Sequence, residues 1–141
     1  MLVSEIMSRG VVALSPDDSV ESAARLLAHH GVGALPVCGE DGRLHGMVTD
    51  RDITVRGVAA DFLPGAPVRS IMSRPAYTVE AHADVREAAC LMAEKQVRRL
   101  AVVQNGRLCG MLSLGDVARC HACEVEVSKA LCEISLPQRD Y

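Results

Sequence analysis

The sequence predicts an α/β protein of the α+β type, built from two βαββα units packed sheet to sheet with pseudo-two-fold symmetry. Three observations carry this prediction. First, GMVTDRDI, from Gly46 to Ile53, returns as GMLSLGDV, from Gly110 to Val117, and the match spreads outward on both sides. VSEIMSRG at Val3 returns as VRSIMSRP at Val68, SVESAARLLAHHGVGALPV from Ser19 as DVREAACLMAEKQVRRLAV from Asp84, and GRLHGM from Gly42 as GRLCGM from Gly106. About 19 of roughly 50 aligned positions are identical, with one residue dropped near Asp41. Second, each copy writes one helical period followed by two short apolar runs. Third, a unit this small leaves one sheet face bare, and a second copy can cover it, with two related clefts where the units meet.

The elements follow in order. In SPDDSVESAARLLAHHG, Ser15 reads as the helix cap, Pro16 as the first helical position and Gly31 as the stop. Val20, Ala23, Ala24 and Leu27 lie at helical spacing. GALPV is a short apolar run suited to a buried strand, EDG makes a turn, and RLHGMV pairs back in a hairpin. Thr49 ends that strand, and DRDITVRGVA opens a short helix. The second copy repeats the order: a strand near AYTV, a helix over ADVREAACLMAEKQ, strands around RRLAVV and RLCGML, and a helix from Leu114. Residues 1–60 and 68–122 are the expected units, and residues 61–67 a linker in the Gly- and Pro-rich GVAADFLPGAP. Residues 123–141 are expected as a terminal helix and tail, with Val125, Ala130, Leu131 and Ile134 on its docked face.

Composition narrows the function. With one Phe, two Tyr and no Trp, the core is aliphatic, filled out by methionine. A net charge of -3 and a pI near 5.9 supply no basic field for a phosphate backbone, which argues against nucleic acid as a partner. No apolar run approaches a membrane span, and MLVSEIMSRG lacks the features of a signal peptide, so a cytoplasmic protein is expected. The six cysteines lie in a chain well able to form a core, and reduced thiols are expected.

The repeated hydroxyl and carboxylate, Thr49 with Asp52 and Ser113 with Asp116, admit two readings. The hydroxyl before a helix accepts a backbone N–H while the acid three residues on reaches back, an arrangement worth about 1 kcal/mol. Alternatively, the helix start and the hydroxyl attract a phosphate while the carboxylate accepts both hydroxyls of a ribose. Gly46 and Gly110 would then let backbone approach closely.

A tandem repeat of IMS, an alanine-rich helix, GALPV and GMVTDRD resembles a pair of cystathionine β-synthase (CBS) domains, the Bateman module, over residues 1 to 120. It is similar above all to free-standing bacterial proteins of two CBS domains, the hypoxic-response type included. The resemblance implies that Asp52 and Asp116 hold the ribose diol and that Thr49 and Ser113 touch the phosphate. It implies that backbone at Ala34, Leu35 and Pro36, and at Leu100 and Ala101 in the second copy, frames the adenine edge, with Val12 and Tyr77 as apolar walls. Arg51 is placed to face a phosphate. The second copy departs from the pattern: Ala101 stands where the family usually has Pro, and Leu114-Gly115 replaces Asp50-Arg51, so the two clefts are expected to differ. The resemblance also implies a homodimer paired through long helices whose alanine-rich faces permit close approach.

Elsewhere the residues are quieter. Cys120-His121-Ala122-Cys123 lacks the second ligand pair of a zinc site, and no metal site is assigned; ordinary thiols lead a disulfide, an intersubunit bridge and a metal as readings. Both cysteines are expected at a helix end, where the dipole disfavours a thiolate. His29-His30 suits a helix C-terminus. No nucleophile has an evident base, so no catalytic residue is assigned. The expected function is a non-catalytic regulatory module that requires no cofactor. It takes AMP, ADP, ATP or S-adenosylmethionine in one or both clefts and reports to an effector protein in trans. The alternative is a ligand-free dimeric scaffold linked through its C-terminal thiols.

Overall fold

The computed structural model describes residues 1–137, which fall into two compact units. Of the described residues, one holds 1–11, 77–105 and 109–137; the other holds Val12–Ala76 with Gly106–Leu108. Among the described residues no helix is long and apolar enough to cross a membrane.

In the unit around residues 12–76, the helix α2 covers Val20–His30 and begins four residues later than Ser15 would set it. Ser19 is the cap, its hydroxyl accepting from the Ser22 N–H. The expected Ser15 cap fails because the Asp18 carboxylate takes the Ser15 N–H, closing Ser15–Asp18 into a turn. Residues 61–67 serve the same helix start: Val20 N–H donates to Ala66 O and Glu21 N–H to Pro64 O, satisfying donors that lack intrahelical partners. Gly31 ends α2 in the left-handed conformation at φ 62°, donating to Ala28 O and Leu27 O. Val20, Ala23 and Leu27 face the core, whereas Ala24 is exposed. The strands β1 (Ala34–Cys38) and β2 (Leu44–Thr49) form the expected antiparallel hairpin. The strand expected before α2 shrinks to one parallel bridge between Leu14 and Val37, since the Ser15 turn follows at once. After β2, α3 (Asp50–Asp52) runs on as a π-helical stretch through Ile53–Val58.

The other unit starts with α1 (Val3–Ile6) and continues with β3 (Thr78–Glu80), α4 (Val85–Lys95), β4 (Arg99–Gln104), β5 (Arg107–Ser113, whose first two residues are counted with the unit around residues 12–76), α5 (Leu114–Ala118) and α6 (Glu124–Ser135). Its sheet has the order β3-β4-β5, with β3 parallel to β4 in the register Thr78 to Ala101. Asn105 and Gly106, at φ 54° and 77°, make the two-residue turn between β4 and β5, the left-handed pair that a tight hairpin requires. The terminal helix docks with Val127 and Ala130 buried and Ile134 partly buried. Its face is therefore rotated from the expected one: Val125 is 78% exposed and Leu131 50%.

Each unit takes its IMS segment from the other repeat. Val68, Ile71 and Met72 belong to the core of Leu14, Val20, Leu27, Leu35, Val37 and Val48. Val3 and Met7 belong to the core of Val79, Val85, Met92, Leu100, Leu112 and Val117. The backbone tells the same story, with Val68 N–H donating to Asp18 O and Arg69 N–H to Pro16 O, and Val3 N–H to Ala83 O and Ser4 N–H to Ala81 O. At the far end of each segment, Ser73 exchanges two hydrogen bonds with Met47 (2.8 and 3.1 Å), and Ser8 exchanges two with Met111 (2.8 and 3.0 Å).

These crossings explain the repeated Gly-Met. A Cβ on Gly46 would sit 2.8 Å from Ser73 O and 2.9 Å from Met72 Sδ; one on Gly110 would sit 2.6 Å from Met7 Sδ and 2.8 Å from Ser8 O. The backbone that each glycine admits is thus the chain's own. Gly46→Ala and Gly110→Ala are each expected to lower unfolding free energy by about 1–3 kcal/mol in urea titrations, as overpacking does. Gly115→Ala, whose Cβ would meet only Ser113 Oγ at 3.6 Å, is the matched control and should stabilise α5 by about 0.5–1 kcal/mol.

Candidate functional site

In the unit around residues 12–76, the β1–β2 register sets Ala34 opposite Thr49 and Leu35 opposite Val48. Thr49 leaves the strand in extended backbone and becomes the cap of α3: its Oγ1 accepts the Asp52 N–H at 3.0 Å, and Asp52 Oδ2 accepts the Thr49 N–H at 3.0 Å. Asp50 N–H donates to Gly33 O, tying the helix start to the residue before β1. The Arg51 N–H donates to the Asp50 carboxylate at 2.8 Å. Asp52 is 6% exposed and is the one charged side chain buried among the described residues. Burial of a carboxylate demands partners. Two come from outside the cap: the Ser73 hydroxyl donates to both Oδ1 and Oδ2 at 3.0 Å, and Arg56 Nε lies 3.8 Å from Oδ1. Arg56 also donates to Met72 O, holding the IMS segment and the carboxylate with one guanidinium.

In the other unit Ser113 caps α5 by the same reciprocal pair, accepting the Asp116 N–H at 3.0 Å while Asp116 Oδ2 accepts the Ser113 N–H at 2.9 Å. Leu114 N–H donates to Arg98 O, as Asp50 does to Gly33. Asp116 is more lightly engaged. Among the described residues its Oδ1 faces Arg119, at 3.6 Å, whose side chain is largely in solvent. Ser8, the counterpart of Ser73, is exposed, and among the described residues its hydroxyl makes no hydrogen bond to Asp116.

The remaining sequence-assigned residues divide. Ala34, Leu35 and Pro36 are buried in β1, and Leu100 and Ala101 in β4; the Leu35 and Leu100 side chains are committed to their cores. Their backbone is partly spoken for as well, since Pro36 O accepts the Leu14 N–H and the Ala101 N–H donates to Tyr77 O. Val12 is half-buried just before the Leu14 bridge. Tyr77 is exposed, with Lys95 Nζ 5.5 Å above its ring. Arg51 is exposed beside Asp52. Sequence reasoning missed Ser73 and Arg56. Arg56 sits one turn beyond Asp52 and was open to an i,i+4 argument. Ser73 lies twenty-one residues away, reached only because the IMS segment crosses to this unit.

Among the described residues no group of three or more His, Cys, Asp or Glu side chains gathers closely enough to hold a metal ion. Cys120 and Cys123 are buried with their sulfurs 3.5 Å apart, the Cys123 thiol donating to Cys120. Contrary to the expectation of a helix end for both, Cys123 is the cap residue of α6, where the dipole favours a thiolate. Burial prevails: together with the hydrogen bond to Cys120, it pushes the Cys123 thiol up to about 11. At pH 8 about one part in a thousand is then thiolate. Iodoacetamide at that pH should modify the exposed Cys90 and Cys132 at least about ten times faster than Cys123, read by mass spectrometry, with urea removing the difference.

A family model described as the CBS domain matches residues 3–56 and 68–122. Hypoxic response protein 1 of Mycobacterium tuberculosis is 40% identical over 132 residues, spanning 91% of this chain and 92% of that protein. A crystal structure of Hypoxic Response Protein I with two coordinated zinc ions superposes with a TM-score of 0.80 at 39% identity, covering 85% of this chain and 98% of that one. A CBS domain protein from Pyrobaculum aerophilum complexed with AMP superposes with a TM-score of 0.81 at 30% identity, covering 91% of this chain and 98% of that one. Both halves of the internal repeat coincide with the family match, and so the chain belongs to the CBS-domain family and carries two copies of its domain.

Proposed function

We propose that this chain is a non-catalytic regulatory module that binds an adenosine-containing ligand, AMP, ADP, ATP or S-adenosylmethionine, through Asp52, Asp116 or both, and passes its occupancy to a partner protein in trans. The observation that carries this reading is the duplicated pairing of a hydroxyl with a carboxylate held in place at two helix starts, Thr49 with Asp52 and Ser113 with Asp116. A relative of the same fold is complexed with AMP, which supports the choice of ligand class. In this reading each carboxylate accepts the 2′- and 3′-hydroxyls of the ribose, while Thr49 and Ser113 turn their hydroxyl protons to a phosphate oxygen. Arg51 meets the phosphate. Backbone at Ala34, Leu35 and Pro36, and at Leu100 and Ala101, frames the base, with Val12 and Tyr77 beside it. A homodimer is the expected state. Regulation follows if the ligand favours one conformation over another, by no more than its difference in affinity for the two.

A ligand-free scaffold is the rival, and one observation favours it: both carboxylates already complete a capping box, which accounts for them with no ligand. Thermal unfolding separates the two. AMP at about 100 times its dissociation constant should add about 2.7 kcal/mol, raising Tm by roughly 5–10 °C for a chain of this size. The Asp52→Asn, Asp116→Asn double variant, which retains an acceptor for each cap, should lose that shift while keeping most of its own Tm. No shift with AMP, ADP, ATP or S-adenosylmethionine leaves the scaffold.

A further inference from the structure

The two carboxylates are written alike and held differently. Asp52 accepts the Thr49 N–H, and the Ser73 hydroxyl bridges both of its oxygens at 3.0 Å, with Arg56 Nε 3.8 Å from Oδ1. Asp116 accepts the Ser113 N–H and otherwise, among the described residues, faces the largely solvated Arg119. A carboxylate offers about four acceptor directions, and a ribose diol needs two of them. The Ser73 backbone is pinned to Met47 by two hydrogen bonds over Gly46, so its hydroxyl leaves Asp52 only by rotation of the side chain. Its oxygen is equidistant from Oδ1 and Oδ2, between the two atoms to which a diol would send one hydroxyl each. Two residues before Asp52, Asp50 carries an exposed carboxylate that accepts the Arg51 N–H, whereas the corresponding stretch of the other copy, Leu114-Gly115, has a buried leucine and a glycine.

We infer that Ser73 is a specificity-determining residue that competes with ligand for Asp52. An adenosine ligand loads the Asp116 copy first and reaches the Asp52 copy only by displacing the Ser73 hydroxyl. This rests on the ribose reading of the two carboxylates. It reverses the order that side-chain charge alone suggests, since Arg51 belongs to the Asp52 copy. Ser8 does not act likewise on Asp116: its backbone is pinned to Met111 in the same manner, yet the residue is exposed and, among the described residues, its hydroxyl makes no hydrogen bond to Asp116.

The test is calorimetric titration of the full chain with AMP. The wild type should show one tighter site per chain, and Asp116→Asn should weaken it at least about ten-fold, leaving the Asp52 site to be read alone. Adding Ser73→Ala to Asp116→Asn should then tighten AMP about five-fold, because one competing hydrogen bond has gone. A melting curve of each variant shows whether it is folded. Ser73→Cys keeps the side-chain size with a weaker donor and should fall between serine and alanine. Unchanged or weaker AMP binding in the Ser73→Ala background overturns the inference while the ribose reading stands. Absence of AMP binding in the wild type and in every variant overturns both.

Discussion

A glycine at 46 and another at 110 let a Met-Ser step lie directly across a strand, and the rest of the structure depends on that approach. With the side chain absent, Met72-Ser73 and Met7-Ser8 come within a distance that any Cβ would forbid. The serine backbone then pairs with the strand, and the preceding methionine fills an aliphatic core that has almost no aromatic residues. Methionine is suited to this work because its unbranched thioether conforms to an irregular gap. The segment that crosses is always the one from the other repeat, so neither repeat completes its core from its own residues.

The same approach supplies the site with its asymmetry. By setting Ser73 against β2, it delivers a hydroxyl to a buried carboxylate that would otherwise lean on one N–H and one distant guanidinium. A lone buried carboxylate costs several kcal/mol, whereas one with two hydrogen-bonding neighbours and an arginine 3.8 Å away is stable where it stands. What stabilises Asp52 also occupies it. Asp116, with one N–H and a solvated arginine, keeps more of its acceptor capacity. Identical sequence spacing thus yields two carboxylates of different availability.

Much of this was legible in the sequence wherever the cause is local. The GALPV and RLHGMV hairpin, the Gly31 stop, and the caps at Thr49 and Ser113 all depend on residues within a few positions of one another, and the structure has them as read. Ser15 was misleading because Asp18 competes for its N–H and a better-placed hydroxyl follows at Ser19; two plausible caps four residues apart cannot be ranked by pattern alone. The docked face of α6 was rotated because several apolar stripes fit its sequence, and only the neighbouring α4 decides among them. Ser73 was invisible for a different reason. The repeat marks it as one half of a pair with Ser8, but which strand it crosses is a matter of chain exchange, and no spacing within one copy encodes that.

The central claim is that these carboxylates are acceptors for a sugar diol and more than helix caps. Comparing the affinities of AMP and 2′-deoxy-AMP for the unmodified chain tests it most directly, because only the claimed contact distinguishes the two ligands. Loss of one hydrogen bond to a charged carboxylate predicts binding about ten-fold weaker for the deoxy nucleotide. Equal affinities would contradict the account and leave Asp52 and Asp116 as caps alone.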